Sequence, residues 1–184
     1  MEDALNELDA LHRRSSGVQI RAETERDHTA IHAVHDSAFG TPGEANLVAA
    51  LREQAAPIIS LVAEDRGGMI GHIMFSPVAL SGHPQLNIAG LAPMAVSPDQ
   101  QGKGIGRALV RAGLEECKRQ GFGVVVVLGH PGYYPRFGFT PAARCGIHCE
   151  YEVAEEAFMF RELQPGYLNG AVGRIEYHPA FRKL

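Results

Sequence analysis

Three glycines at alternate positions, Gly102, Gly104 and Gly106, stand where an apolar run ending at Val96 gives way to a helix-forming run opening near Ile105. This feature restricts the fold more than any other. Glycine has no side chain to hold a ligand away from backbone amides. The first turn of a helix carries N–H groups without intrahelical partners and the positive end of the helix dipole. An apolar strand, a glycine turn and a helix N-terminus in that order make a seat for a phosphate or pyrophosphate.

Two well-known phosphate loops are excluded by the residues themselves. The P-loop needs a lysine followed by a hydroxyl residue, and Lys103 is followed by Gly104. The dinucleotide fingerprint needs Gly-x-Gly-x-x-Gly, and Arg107 stands where the third glycine belongs.

The run Gln101-Gly102-Lys103-Gly104-Ile105-Gly106 resembles the acetyl-coenzyme A loop of the GNAT N-acetyltransferases, Gln/Arg-x-x-Gly-x-Gly/Ala. Upstream, Met94-Ala95-Val96 sits at that family's spacing for the strand that pairs with the pantetheine arm. Downstream, Tyr134-Pro135-Arg136-Phe137-Gly138-Phe139 looks like the family's Tyr-x-x-x-Gly-Phe signature. These motifs span roughly residues 91–139, and weaker similarity runs from about 18 to the C-terminus. The tail from Phe158 to Gly166, with Gly173, Tyr177 and Phe181 beyond it, resembles the YhbS-like branch of that family.

The resemblance implies an α/β (α+β) fold in a single domain, a mixed but mostly antiparallel sheet flanked by helices. It implies acetyl-CoA as the acetyl donor and direct transfer to a primary amine of a small molecule or protein, without a metal. Residues expected at the donor are Met94, Ala95, Val96, Gln101, Gly102, Lys103, Gly104, Ile105, Gly106 and Arg107. Tyr134 matches the family's general acid. The alternative is a non-catalytic acyl-CoA-binding sensor or interaction domain of the same fold.

Composition bounds the remaining choices. With 184 residues, 45% of them hydrophobic, the chain can bury one substantial core. A net charge of −4 and no run of lysine and arginine argue against nucleic acid and anionic membranes as partners. No apolar segment reaches the ~18 residues of a membrane span, and the N-terminus lacks a signal peptide's pattern. Three cysteines do not suggest a disulfide framework. A cytoplasmic monomer or homodimer is expected. Residues 1–17, polar and ending in Ser-Ser-Gly, read as a flexible tail or dimer contact, with the domain at 18–184.

Hydrophobic periodicity then gives an order of elements. A first strand is expected at Val18–Ala22, followed by a helix capped by Thr24 with Ile31, Val34 and Ala38 on one face. Thr41-Pro42-Gly43-Glu44 reads as a capping box opening a second helix. A hairpin, Ile58–Glu64 with Met69–Ala79, precedes a strand at Asn87–Val96. The helix after the loop places Ile105, Leu109 and Gly113 opposite Arg107, Arg111, Glu115 and Lys118. Val124–Leu128 reads as a buried strand, Tyr133-Tyr134 as a helix-like turn, and strands near 157–163 and 172–178 as closing the sheet.

Acetyl transfer needs a neutral amine, a polarised thioester carbonyl and a proton for the departing thiolate. Tyr134 is the donor candidate, with Tyr133 or water as alternatives, and a backbone N–H near Met94 or Ala95 is the candidate for the carbonyl. A free tyrosine at ~10 protonating a thiolate whose thiol titrates near ~8.5 is uphill by about 2 kcal/mol. Many relatives carry a glutamate six residues before the residue matching Val96; here that position is Gly90. Glu44, His72, His130 and Glu152 remain as base or substrate-contact candidates. His130 follows the buried strand as a base or water-orienting group, and Glu44 is a substrate contact. A base is dispensable for an α-amine, about a tenth neutral at pH 7. Cys145, His148 and Cys149 lack the fourth ligand of a zinc site. Acceptor specificity is expected from loops 36–46, 80–87 and 164–172.

Overall fold

The computed structural model describes residues 17–184. The tail reading for residues 1–17 therefore falls, Gly17 apart, outside the described residues. Nine strands and three α-helices follow in the order β1 (Gln19–Ala22), α1 (His28–Phe39), α2 (Gly43–Gln54), β2 (Ile59–Asp65), β3 (Gly68–Leu80), β4 (Ile88–Val96), α3 (Ile105–Arg119), β5 (Val124–Leu128), β6 (Thr140–Pro141), β7 (Ile147–Cys149), β8 (Phe158–Glu162) and β9 (Gly173–Glu176).

Seven strands form one sheet in the order β1-β2-β3-β4-β5-β8-β6. Only the β4–β5 pair within it is parallel, as the crossover through α3 requires. Val124 to Val127 are fully buried, because helices or turns cover both faces of the sheet there. The fold is the mixed, mostly antiparallel sheet with flanking helices that the sequence suggested.

The two faces carry different elements. Against one lies α3, whose buried stripe is Ile105, Leu109, Val110, Gly113, Leu114 and Cys117. The expected charged side is confirmed: Arg107, Glu115 and Lys118 are exposed. Phe75 of β3 occupies the space a side chain at Gly113 would need. Against the other face lie α1 and α2, joined by the C-terminal turn Pro179–Lys183, with Ile31, Leu47, Val48, Leu51, Val62, Met74 and Phe181 between them.

The feature that positions the site is an irregularity in β4. Its register with β3 passes from Phe75 opposite Leu91 to Ile73 opposite Met94. Ala92 and Pro93 thus stand as a bulge, where proline could not have donated to a ladder. The β5 pairing stops at Leu91. From Ala92 to Val96 the edge of β4 that faced β5 has no strand beside it, so its peptide groups are open to a ligand.

Three expectations need correction. Strand β9 does not close the main sheet; it pairs with β7 and with Ala79 and Leu80 at the end of β3. Helix α2 starts at Gly43 with Pro42 before it, so Thr41 is not its cap, although Thr41 Oγ1 donates to Glu44 Oε2 at 3.3 Å. Thr24 opens a short 3₁₀ turn, Glu25–Asp27, ahead of α1, and Asp27 Oδ2 accepts from both the Thr24 N–H and its hydroxyl. No helix among the described residues is long and apolar enough to cross a membrane.

Candidate active site

A cleft of about 860 Å³ runs along the open edge of β4. Leu91, Ala92, Pro93, Met94 and Val96 form one wall, and Leu128, Gly129 and His130 at the end of β5 form the other. Gly102, Gly104, Ile105, Gly106 and Arg107 close one end.

Backbone geometry explains the glycines there. Gly102 and Gly104 have φ of 75° and 83°, a left-handed conformation that costs a side-chain-bearing residue roughly 1–2 kcal/mol. Gly104 is the N-cap of α3 and makes no side-chain cap, so the first amides of the helix remain available. Gln101 Nε2 donates to the carbonyl of Val96 at 3.1 Å, tying the loop to the strand. Lys103 donates instead to Gln100 Oε1 at 3.1 Å and does not line the cleft. The Ala95 side chain is buried and also absent from the lining.

Tyr133 and Tyr134 both line the cleft beside the loop. The Tyr133 hydroxyl lies 3.1 Å from where a side chain at Gly106 would begin, and Arg136 sits 4.6 Å above its ring. Tyr134 is packed edge-on against Tyr133 and Phe139. Burial, with Tyr133 adjacent, pushes the Tyr134 hydroxyl up to about 12. It keeps its proton at neutral pH. Phe137 is buried in the core and does not line the cleft, whereas Phe39 and Tyr133 do.

The cleft passes between β4 and β5 to the opposite face of the sheet. Leu91, Met94 and Val96 belong to the cluster under α3, whereas Ala92 belongs to the cluster with α1 and α2. On that second face the lining consists of Phe39, Glu44, Tyr151, Tyr177, Phe181 and Leu184. Of the three loops expected to shape the acceptor end, only 36–46 contributes; neither 80–87 nor 164–172 lines the cleft. The C-terminal residues and Tyr151 take their place, and nothing in their spacing signalled it.

Gly90 has a structural reason. A side chain there would begin 2.9 Å from Val78 Cγ1 and 3.2 Å from Tyr177 Cε1. The space a glutamate would need is filled by the ring of Tyr177.

Two of the four base candidates leave the site. His72 is wholly buried in a chain of polar groups away from the lining. Arg52 and the Ser60 hydroxyl donate to Glu23. Burial alone would raise Glu23, but these bonds and nearby His72 hold it well below the usual carboxylate range. With its own proton given to Glu23, Ser60 Oγ accepts from His72 Nε2 at 2.8 Å. His72 Nδ1 then accepts from His35 Nε2 at 2.8 Å. Both imidazoles are neutral, because burial disfavours their charged forms. Glu152 is exposed and lines a separate depression with His148 and Cys149. No group of three His, Cys, Asp or Glu among the described residues is arranged to hold a metal. Glu44 and His130 stay at the cleft.

A family profile described as the acetyltransferase (GNAT) domain matches residues 19–142. The chain belongs to the GNAT acetyltransferase family. The uncharacterized N-acetyltransferase YhbS of Escherichia coli K12 is 39% identical over 166 residues, 90% of this chain and 99% of that protein. The crystal structure of Escherichia coli YhbS in complex with CoA matches with a TM-score of 0.85 at 38% identity, covering 91% of this chain and 93% of that one. A GNAT acetyltransferase from Brucella melitensis in complex with acetyl-CoA matches with a TM-score of 0.74 at 35% identity, covering 90% and 99%. The GNAT profile includes the loop, Met94–Val96 and Tyr134. It ends before Tyr151, Tyr177 and Phe181, while Phe39 and Glu44 lie within it.

Proposed function

We propose that this GNAT N-acetyltransferase binds acetyl-CoA along the open edge of β4 and transfers the acetyl group directly to a primary amine held on the α1/α2 face. The observation that carries this reading is the cleft itself. It joins an anion seat at the start of α3 to a strand edge without a partner, then crosses the sheet. The CoA and acetyl-CoA complexes of the two similar proteins support the same donor here.

The amides of 102–107 meet the pyrophosphate, and Met94–Val96 align the pantetheine as an added strand would. Backbone N–H near Met94 or Ala95 polarises the carbonyl. The amine nitrogen bonds to the acetyl carbon, the C–S bond breaks, and the thiolate takes the Tyr134 proton. The proton shed by the amine passes to solvent, with His130 beside the cleft as base or water-orienting group, and Tyr134 is reprotonated. From a hydroxyl at about 12 to a thiol near ~8.5, that step is uphill by roughly 5 kcal/mol if it runs alone. Proton transfer must therefore accompany C–S cleavage. Free cysteines at 117, 145 and 149 support a reducing, cytoplasmic setting.

A thiol-release assay across a panel of amines tests the reading. Amine-dependent appearance of free CoA is expected. Tight acetyl-CoA binding without amine-dependent release would mean a sensor domain, the reading that Gly90 keeps open.

A further inference from the structure

The half of the cleft on the α1/α2 face differs in chemistry from the donor half. Phe39, Tyr151, Tyr177 and Phe181 give it aromatic walls, and Glu44 gives it one carboxylate. Tyr177 stands at its centre, its ring 5.8 Å from Tyr151 and 5.0 Å from Phe181. Arg107 is the only arginine or lysine among the described lining residues, and it belongs to the glycine loop at the other end. Arg182, although close to Tyr151, lines a separate depression with Glu150 and Glu176.

Two polar atoms in this wall lack protein partners: the hydroxyls of Tyr151 and Tyr177, both buried. Both oxygens are closed to solvent, so these residues meet the cleft with their rings. Aromatic faces attract cations, and a carboxylate pairs with an ammonium. No arginine or lysine lines this end, and the N-terminus of α2 that lies there already carries the Glu44 carboxylate in its first turn.

We propose that the pocket of Phe39, Glu44, Tyr151, Tyr177 and Phe181 binds a primary ammonium carried on an aromatic or aliphatic body without any anionic group. Arylalkylamines of the phenethylamine kind fit this description. Amino acids, with their α-carboxylate, and phosphorylated amino sugars do not. The aromatic rings hold the body, while Glu44 meets the amine. The proposal rests on the acetyl-transfer reading only for calling this ligand the acceptor.

Phenethylamine and phenylalanine share a body and differ by the carboxylate, so they are the probes. Each is titrated calorimetrically into the protein saturated with CoA, in wild type and in Glu44→Gln and Tyr177→Phe. Phenethylamine is expected to bind at least about 10-fold more tightly than phenylalanine, and Glu44→Gln to weaken it by roughly 10-fold, the usual scale for losing a charge-assisted bond. Tyr177→Phe, which keeps the ring, should leave it nearly unchanged. Equal or tighter binding of phenylalanine, no response to Glu44→Gln, or no binding of phenethylamine overturns the proposal. CoA release with acetyl-CoA is followed in parallel. Amine binding without release overturns acetyl transfer and leaves the pocket assignment standing; release from phenylalanine as readily as from phenethylamine does the reverse.

Discussion

The proposed proton donor is the single hydroxyl of Tyr134, and its surroundings set what a variant should do. The ring is wedged among Tyr133, Phe137 and Phe139, so Tyr134→Phe keeps the packing and removes only the proton donor. We expect turnover to fall by about 10-fold or more, with acetyl-CoA affinity nearly unchanged, since general acids contribute ~10²–10⁴ in rate. Loss in Tyr133→Phe alone would move the role to its neighbour, and full activity in both would assign the proton to solvent. His72 teaches a different lesson. A histidine in a strand pattern is a base candidate from sequence, but the Glu23–Ser60–His72–His35 chain is assembled by bonded neighbours as much as 37 positions apart. The chain predicts acid sensitivity. Burial lowers His35 from 6.5 to about 3, so between those values the unfolded chain binds the additional proton. Stability present above pH 6.5 is then lost as the pH falls, by up to ~1.4 kcal/mol per pH unit for one such group. Glu23, also held low, adds to the loss below its ordinary 4.5. Urea midpoints measured at pH 7.5, 6 and 5 should decline in that order; a flat profile would contradict the neutral pair.

Among the elements, β4 and α3 were legible because their patterns are long and their glycines specific. The loop between them is legible residue by residue. The two strands not foreseen, Thr140–Pro141 and Ile147–Cys149, are too short to show a period. The misplacement of β9 has a similar cause: alternation marks a strand but not which edge it joins. The bulge at Ala92-Pro93 was half legible, since proline announced a broken ladder but not that β5 would stop at Leu91. Gly90 shows how an element excludes a residue type. With Val78 Cγ1 only 2.9 Å from the position of a new side chain, Gly90→Ala should cost about 1–3 kcal/mol of stability through overpacking. Chemical denaturation checks this, and an unchanged midpoint would show that Tyr177 and Val78 yield freely. The same crowding means that restoring a glutamate at this position should not raise activity.

At the scale of the whole molecule, the sheet separates two kinds of surface. The α3 face carries uncapped backbone amides at a helix N-terminus, which we propose seat phosphates, a chemistry that a short motif encodes. The α1/α2 face builds its pocket from Phe39, Glu44, Tyr151, Tyr177 and Phe181, gathered from distant parts of the chain by tertiary packing. No local spacing records such a gathering, which is why the acceptor end was not legible. The central claim concerns the donor face, and acetyl-CoA binding tests it most directly. Lys103 serves as a control, because its ammonium is occupied by Gln100 on an exposed surface. Lys103→Ala should weaken binding by only a few-fold, more at low salt than at high. The decisive comparison is a calorimetric titration of acetyl-CoA into wild type and Gly104→Val. At φ of 83° a β-branched residue cannot hold the loop, so saturable binding by wild type and a loss of at least about 10-fold in the variant, with an unchanged circular dichroism spectrum, are expected. Undiminished affinity in Gly104→Val, or no binding by wild type, would contradict the account.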